Sequence, residues 1–377
     1  MKIMLSILRK TVFGIITTGL VLWATVWIFL QQPSFGQEPS GLRMERIKKS
    51  PNFHDGIFKN LVETPMKPEG VSYWKMGTTL IFDKDENNTP PMVLPCVKNN
   101  LQASITNKPV ITWFGHSTVL IQVNGKNILT DPMFSQRPSP VQFTGPSAFK
   151  GTQICSVKEL PLIDVVLISH NHYDHLDYHT IMQLKDKTKL FYVALGVGAY
   201  LEQWGIPLSK IREMDWWEES VIDSSLKIVF TPSRHFSGRG PAFNKTQWCS
   251  YVMITPQYRF YFSGDSGYEK HFKMIGEKYG PFDMAFIETG QYNNLWPNIH
   301  MMPENSVQAA ADLGAKVMMP IHWSKFALST HAWDEPIKRS QKKAIELHVK
   351  MTTPMLGEYV IIDSIYPVLK WWDSVKK

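Results

Sequence analysis

The sequence predicts an α/β (α+β) chain: an αββα sandwich of two mixed β-sheets flanked by helices, behind one N-terminal transmembrane helix. Three observations predict it. Short apolar runs ending in polar clusters begin near residue 109 and alternate with helical segments from about residue 163. "IDVVLIS" (163–169), apolar apart from Asp164 and the closing Ser169, reads as a strand buried on both faces. "TVFGIITTGLVLWATVWIFL" (11–30) is an uncharged run of 20 residues, the length that crosses a bilayer as a helix.

Lys2, Arg9 and Lys10 precede that run, as in a signal peptide or signal anchor. No A-x-A site follows. Ser34-Phe35-Gly36 offers small residues for cleavage after Gly36, but the run is longer than a usual signal core, which favours an anchor. Residues 1–10 are then a cytoplasmic N-terminus, with the large domain on the extracytoplasmic (periplasmic) side. Arg43, Arg46, Lys48 and Lys49 weaken the charge asymmetry behind that orientation. Residues 31–104 read as a linker and irregular extension, rich in Pro, Gly and polar residues, with Tyr73, Trp74 and the patch "DKDENN". Residues 105–377 form the folded domain.

Its elements follow in order. "PVITWFGHSTVLIQVNGKNILTDP" gives two or three strands with Asn124-Gly125 as a hairpin turn. After the 163–169 strand, "YHTIMQLKDK" is a helix, "KLFYVAL" a strand, "VGAYLEQWGI" a helix and "SLKIVFTPS" a strand. "QWCSYVMIT" and "YRFYFSGD" pair around Pro256-Gln257. "EKHFKMIGEKYG" is a helix, "FDMAFIET" a strand, "MPENSVQAAADLG" a helix and "KVMMPIHW" a strand. "PIKRSQKKAIELHVKM" closes the series as a basic helix.

Composition narrows the function. Apolar residues make up 44% and charged residues 19% of 377, which suits a globular chain and excludes a disordered one. Cys96, Cys155 and Cys249 form no C-x-x-C pair, so neither a disulfide framework nor a thiolate zinc knuckle is indicated. The net charge of +7 lacks a basic block, so nucleic acid is not an expected partner, while anionic lipid surfaces remain compatible.

The chemistry concentrates in "SHNHYDHLDYHT" (169–180), which holds four of the chain's 12 histidines. It lies after a buried strand and before a helix. Side chains alternate along a strand end, so His170 and His172 can share a side, while Asp174 and His175 at the turn face a second position. Imidazoles with a carboxylate suit zinc or a similar divalent ion. His235, Asp265 and His322 also follow strands, so chain-distant donors can gather at one sheet edge. Each alone could be a core or surface residue.

The run H-x-H-x-D-H, with a separate His, Asp and His after later strands, resembles the metallo-β-lactamase superfamily. "ISHNHYDHLD", "MDWWEES", "SRHFSGRG", "FSGDSGY", "GPFD" and "PIHWSKFAL", with the opening "WFGHSTVLIQVNGKNILTDPMFSQRPSP", narrow the resemblance to the N-acyl-phosphatidylethanolamine-hydrolysing phospholipase D family over roughly residues 105–335. The resemblance implies two zinc ions, with manganese or iron as substitutes. His170, His172 and His235 would hold one metal, Asp174, His175 and His322 the other, and Asp265 would bridge them. A hydroxide shared by the metals would attack phosphorus, with Asp265 and Asp174 as catalytic carboxylates and Asp265 passing a proton to the leaving alcohol. Asp131 in "LTDP" would orient the histidine loop, and Tyr173 and His300 would touch substrate. His116 reads as structural. His179 and His331 are weaker candidates for holding ligand imidazoles, and Trp216-Trp217-Glu218-Glu219 reads as packing and surface acidity. Ser266 replaces the family's Thr, and stretches 238–247 and 287–299 depart from its pattern, which leaves the substrate the least determined feature.

The function so implied is a metal-dependent phosphodiesterase of phospholipase D type. It hydrolyses N-acyl-phosphatidylethanolamine, or a related phospholipid, to phosphatidic acid and N-acylethanolamine. The expected partners are the phospholipid and the membrane, with a homodimer left open. The alternatives are a lactonase or phosphodiesterase for a small soluble substrate, and a non-catalytic envelope scaffold. An apolar groove lined by Leu295, Trp296 and Met301 would favour lipid.

Overall fold

A computed structural model describes residues 2–102 and 106–376. The helix α1 (Lys2–Leu30) is longer than the 20-residue run, and its apolar side chains are exposed all round. Residues 3–30 have a mean hydropathy of 2.0 and none of that span is buried, so α1 is a candidate membrane span.

Two short strands, β1 (Phe53–His54) and β2 (Ile57–Phe58), form a hairpin in the arm after the helix α2 (Gly41–Ile47). This arm is not a free linker: Ile47 and Phe58 are fully buried in the main core. Residues 61–102 also hold more order than expected. The helix α3 (Tyr73–Phe82) starts at Ser72, whose hydroxyl accepts from the Lys75 backbone N–H. Its outward residues Tyr73, Trp74, Ile81 and Phe82 are apolar, the reverse of the polar outer face by which a helix on a soluble domain is recognised.

The first large sheet contains β3 (Val110–Trp113), β4 (Val119–Val123), β5 (Lys126–Thr130), β6 (Ile163–Ile168), β7 (Thr188–Ala194), β8 (Ile211–Met214) and, beside β3, β15 (Tyr359–Ile361). Strands β5 to β8 run parallel, while β3, β4 and β15 pair antiparallel. Asn124 and Gly125 join β4 to β5 with φ of 50° and 70°, the left-handed pair that a tight hairpin requires. The second sheet has the order β14-β13-β12-β11-β10-β9, comprising β9 (Glu219–Asp223), β10 (Leu226–Thr231), β11 (Ser250–Ile254), β12 (Arg259–Phe262), β13 (Met284–Glu288) and β14 (Met318–Ile321). The expected β11–β12 pair around Pro256-Gln257 is present.

Period-two alternation decides which residues face which layer. Ile228, Phe230, Tyr251, Met253, Phe260, Phe262, Met284 and Phe286 point between the sheets and join Ile168 and Phe191 in one core. Their neighbours Val229, Val252, Tyr261, Ala285 and Ile287 face outward, under the helices α6 (His271–Tyr279), α7 (Pro303–Asp312) and α8 (Glu335–Glu346). The helices α4 (Tyr178–Leu184) and α5 (Gly198–Gln203) add Ile181, Leu184 and Leu201 to the core that includes the first sheet. Each such buried aromatic or aliphatic side chain contributes about 1.5–3 kcal/mol. The αββα sandwich expected from the sequence is therefore the fold observed. The strands β1 and β2 of the arm and, in the large sheets, β8, β9 and β15 were not foreseen.

Candidate metal centre

β3, β5, β6, β10, β12, β13 and β14 all end on the edge where the two sheets deliver their polar residues. His116 leaves the β3–β4 turn, Asp131 follows β5, and His170, His172, Asp174 and His175 follow β6. His235 follows β10, Asp265 follows β12, Glu288 is the last residue of β13 and His322 follows β14. A local device makes the tight turn before Asp265 possible. Gly264 has φ 56°, and a Cβ there would strike Ser169 of the ligand loop.

The donors converge in three overlapping groups, each within 4.8 Å: His170, His172, His235 and Asp265; His116, Asp174, His175 and His322; and Asp265, Glu288, His300 and His322. Asp265 stands between the first two. Its Oδ2 lies 3.1 Å from His175 Nε2, 3.7 Å from His235 Nε2 and 3.9 Å from His170 Nε2, and its Oδ1 lies 3.2 Å from His322 Nδ1. His172 Nδ1 is 2.8 Å from His170 Nε2 and 3.3 Å from His235 Nε2. Imidazole nitrogens around a tetrahedral zinc ion sit about 3.4 Å apart, so this spacing is close to that of a metal-binding cage.

The seven predicted ligands are thus brought together. Asp131 lies against the histidine loop: Oδ1 accepts from the Ser169 N–H at 2.7 Å, and Oδ2 lies 2.6 Å from Ser169 Oγ and 2.7 Å from His175 Nδ1. His170 Nδ1 meets Ser169 Oγ at 2.9 Å, and His235 Nδ1 meets the Ile299 carbonyl at 2.8 Å. In each case the second ring nitrogen is held so that the first points into the cage.

Two residues join the cluster that the sequence reading did not assign to it. His116 Nε2 lies 2.9 Å from Asp174 Oδ2, and its ring is 4.2 Å from that of His322. Glu288 is fully buried and accepts from the Met301 N–H at 2.9 Å and from His300 Nδ1 at 2.9 Å. Other expectations meet a different arrangement. The Tyr173 hydroxyl donates to the Arg239 carbonyl at 2.6 Å, so its phenol is tied to the protein framework. His179 is exposed, and His331 Nε2 accepts from the Gln291 N–H, so neither holds a ligand imidazole. Trp296 and Met301 are buried, and the Trp296 indole donates to the Gln291 carbonyl, so these two do not line an open groove. Trp216 is buried and Glu218 pairs with Arg46, as expected of packing and surface acidity.

The electrostatics favour a cation. Burial holds the imidazoles of His170, His235 and His322 well below their usual range, and lowers His172 to about 4, so they present neutral nitrogens. Burial opposes charge on Asp265, but the facing His175 and His322 outweigh it and hold the carboxyl well below its ordinary range. Burial likewise opposes charge on His175, and Asp265, Asp174 and Asp131 overcome it and raise the ring. His175 Nε2 and Asp265 Oδ1 are buried without a hydrogen-bond partner. Orphaned buried atoms are costly, and a cation between them would satisfy both. The residues present therefore fit a metal site.

The model for the β-lactamase superfamily domain matches residues 126–323, more than half of the chain. The chain belongs to the β-lactamase superfamily. Within it, an uncharacterized protein of Mycobacterium bovis is 37% identical over 329 residues, covering 86% of this chain and 88% of that one. The N-acyl-phosphatidylethanolamine-hydrolyzing phospholipase D 1 of Caenorhabditis elegans is 32% identical over 231 residues, covering 58% of this chain and 65% of its own length. The metallo hydrolase Igni18 of Ignicoccus hospitalis shares the superfamily fold with a TM-score of 0.52 at 21% identity, over 67% of this chain and 97% of that one.

Proposed function

We propose that this superfamily member is a metal-dependent hydrolase that cleaves the phosphodiester of N-acyl-phosphatidylethanolamine or a related membrane phospholipid, giving phosphatidic acid and N-acylethanolamine. The observation that carries the reading is Asp265, which groups with His170, His172 and His235 while its carboxylate also lies 3.1 Å from His175 Nε2 and 3.2 Å from His322 Nδ1 of the second group. His170, His172, His235 and Asp265 would hold one divalent cation, and Asp174, His175, His322 and Asp265 the second. Imidazole-rich sets of this kind suit zinc. Bound there, two cations supply a nucleophile at neutral pH and neutralise charge growing on phosphoryl oxygens.

The chain's own residues complete the reaction. Asp265, in reach of donors from both groups, would carry a proton to the leaving alcohol, with Asp174 as the second catalytic carboxylate. His300, held through Nδ1 by Glu288, keeps its other nitrogen to donate to a phosphoryl oxygen. Burial works against a charged His300, and the Glu288 carboxylate more than offsets it and raises the ring. A lipid substrate is supported by α1 and by a cavity of about 260 Å³ where that helix ends, lined by residues that include Leu30, Phe35, Asn171, Arg239 and Pro241. The name of the nematode relative, an N-acyl-phosphatidylethanolamine-hydrolyzing phospholipase D, supports the same reading. The exposed apolar α1 supports membrane anchorage; the reading puts the domain on the extracytoplasmic side because Lys2, Arg9 and Lys10 precede the apolar run.

The burial of Trp296 and Met301 favours a second reading, a lactonase or soluble phosphodiesterase, because no apolar groove is built from them. One experiment separates the two. The full chain in detergent is assayed for metal per chain, for phosphatidic acid released from N-acyl-phosphatidylethanolamine, and for opening of a lactone panel, beside His172→Ala. Two metals with phosphatidic acid release lost in His172→Ala is the expected result. Lactone opening without lipid cleavage would transfer the assignment to the second reading.

A further inference from the structure

We infer that α1 is retained as a permanent anchor, because the residues that follow it, Pro33–Gly36, are latched by Arg239 to the loop that carries the metal ligands. Arg239 is 5% exposed, and its hydrogen bonds run to carbonyls rather than to a carboxylate. Nε and Nη2 donate to the Ser34 carbonyl at 3.0 and 2.8 Å. Nη1 donates to the Asn171 carbonyl at 2.7 Å and the Leu176 carbonyl at 2.6 Å. One planar guanidinium therefore joins the juxtamembrane arm to both ends of the segment that holds His172, Asp174 and His175. It lies 4.0 Å from the centre of the Tyr173 ring, with Trp204 at 5.6 Å and Tyr200 at 5.9 Å.

The arm is fixed at each of its residues. The Trp204 indole donates to the Pro33 carbonyl at 2.7 Å, and Ser34 Oγ donates to the Pro140 carbonyl at 2.7 Å. The Phe35 ring sits edge-on between Phe29 of α1 at 5.3 Å and Tyr173 at 6.2 Å. Gly36 adopts φ 76° and packs so close to the Tyr200 ring that a Cβ would collide with it. Cleavage after Gly36 would free the segment that supplies Ser34. Its loss strips Arg239 of one of its shared acceptors and leaves a buried cation underpaired, which is strongly unfavourable. Arg239 touches no reacting atom. It is a positioning residue that holds the ligand loop's backbone and keeps the metal centre within a few residues of the bilayer surface.

The anchor part of this inference stands apart from the metal reading; the positioning part rests on it. Intact mass and N-terminal sequencing of the full chain extracted from membranes test the first. A chain keeping residues 11–36 is expected, and a mature chain beginning at Gln37 overturns the inference. For the second, metal transfer from the detergent-solubilised full chain to a chromogenic chelator is timed. Arg239→Ala is expected to release metal at least about 10-fold faster. Arg239→Lys should not rescue it, since one ammonium does not reproduce the planar fork. Phe35→Ala should release metal faster than the parent, and gives the same test if the Arg239 variants do not fold. Arg339→Ala on α8, which breaks pairs with Glu304 and Glu335, should lower thermal stability without changing the release rate. Parental release rates in the Arg239 and Phe35 variants overturn the positioning role. A parent chain that binds no metal overturns the hydrolase reading and the positioning role with it, while the mass still decides the anchor.

Discussion

Asp131 Oδ2 lies 2.7 Å from His175 Nδ1, and the same carboxylate holds the Ser169 hydroxyl and backbone N–H. One buried side chain on the first sheet thus sets both the first residue of the ligand loop and the ring of its last histidine. Asp131→Ala is expected to weaken metal binding about 10–100-fold. Asp131→Asn should cost less, because its amide oxygen can still accept one of the three bonds. Competition with a chelator of known affinity measures both.

Glu288 and His300 make a buried pair whose protonation responds to mutation. Burial pushes the Glu288 carboxyl up to about 7 against the pull of His300, and His300 is itself raised by Glu288. Glu288→Gln removes the charge that favours the imidazolium. The His300 ring should then lose its proton at lower pH, and the alkaline limb of the kcat/KM profile should shift downward. At pH 7–8 the loss should reach about 10-fold or more if His300 donates to the phosphoryl oxygen. An unshifted limb would remove His300 from proton donation.

The metal-free chain should lose stability as pH falls from 6.5 toward 4. His172 is lowered from 6.5 to about 4 by burial, and His170, His235 and His322 are lowered further by the same cause. Their folded-state affinities for protons lie below the unfolded value, so the unfolded chain binds protons first and gains relative stability over that window. His175 and His300 are raised, so their contribution changes above pH 6.5, where the folded chain holds the proton longer, and leaves the slope below 6.5 to the lowered imidazoles. Thermal unfolding after chelation, followed from pH 8 to pH 4, measures it. A Tm that stays level through this range would contradict the neutral, buried state assigned to these imidazoles.

Tyr251 ties the sheets together: its hydroxyl meets the Ile168 carbonyl at 2.5 Å and lies 3.1 Å from the Tyr192 carbonyl. Tyr251→Phe keeps the ring and leaves these acceptors short of a donor. A loss of about 1–3 kcal/mol in urea unfolding is expected.

The candidate donor cluster was legible in the sequence because histidine and aspartate are rarely crowded at the ends of apolar strands without a partner. Two members of the cluster escaped for different reasons. His116 sits in a two-strand turn with φ 53°, where sequence alone does not distinguish a donor from a turn residue. Glu288 did carry a signal: it ends a strand whose five residues are all buried, and a carboxylate there needs partners. Strands β8 and β9 lie at sheet edges and read "IREM" and "ESVID", too charged to stand out as apolar runs. β15 is a strand only by pairing with β3, more than 240 residues earlier, which no local pattern encodes. The arm's place in the core rests on two side chains, Ile47 and Phe58, whose partners are equally remote.

The donors leave the ends of strands that both sheets clamp from either side, and the segments beyond them, around 236–246 and 291–300, carry no strand or helix. Those segments can lengthen, shorten or change composition while the cage stays where the sheets put it. Grafting them between members of the superfamily is therefore a route to new substrate ranges on an unaltered donor cage, with Asp265 and its imidazole neighbours left untouched.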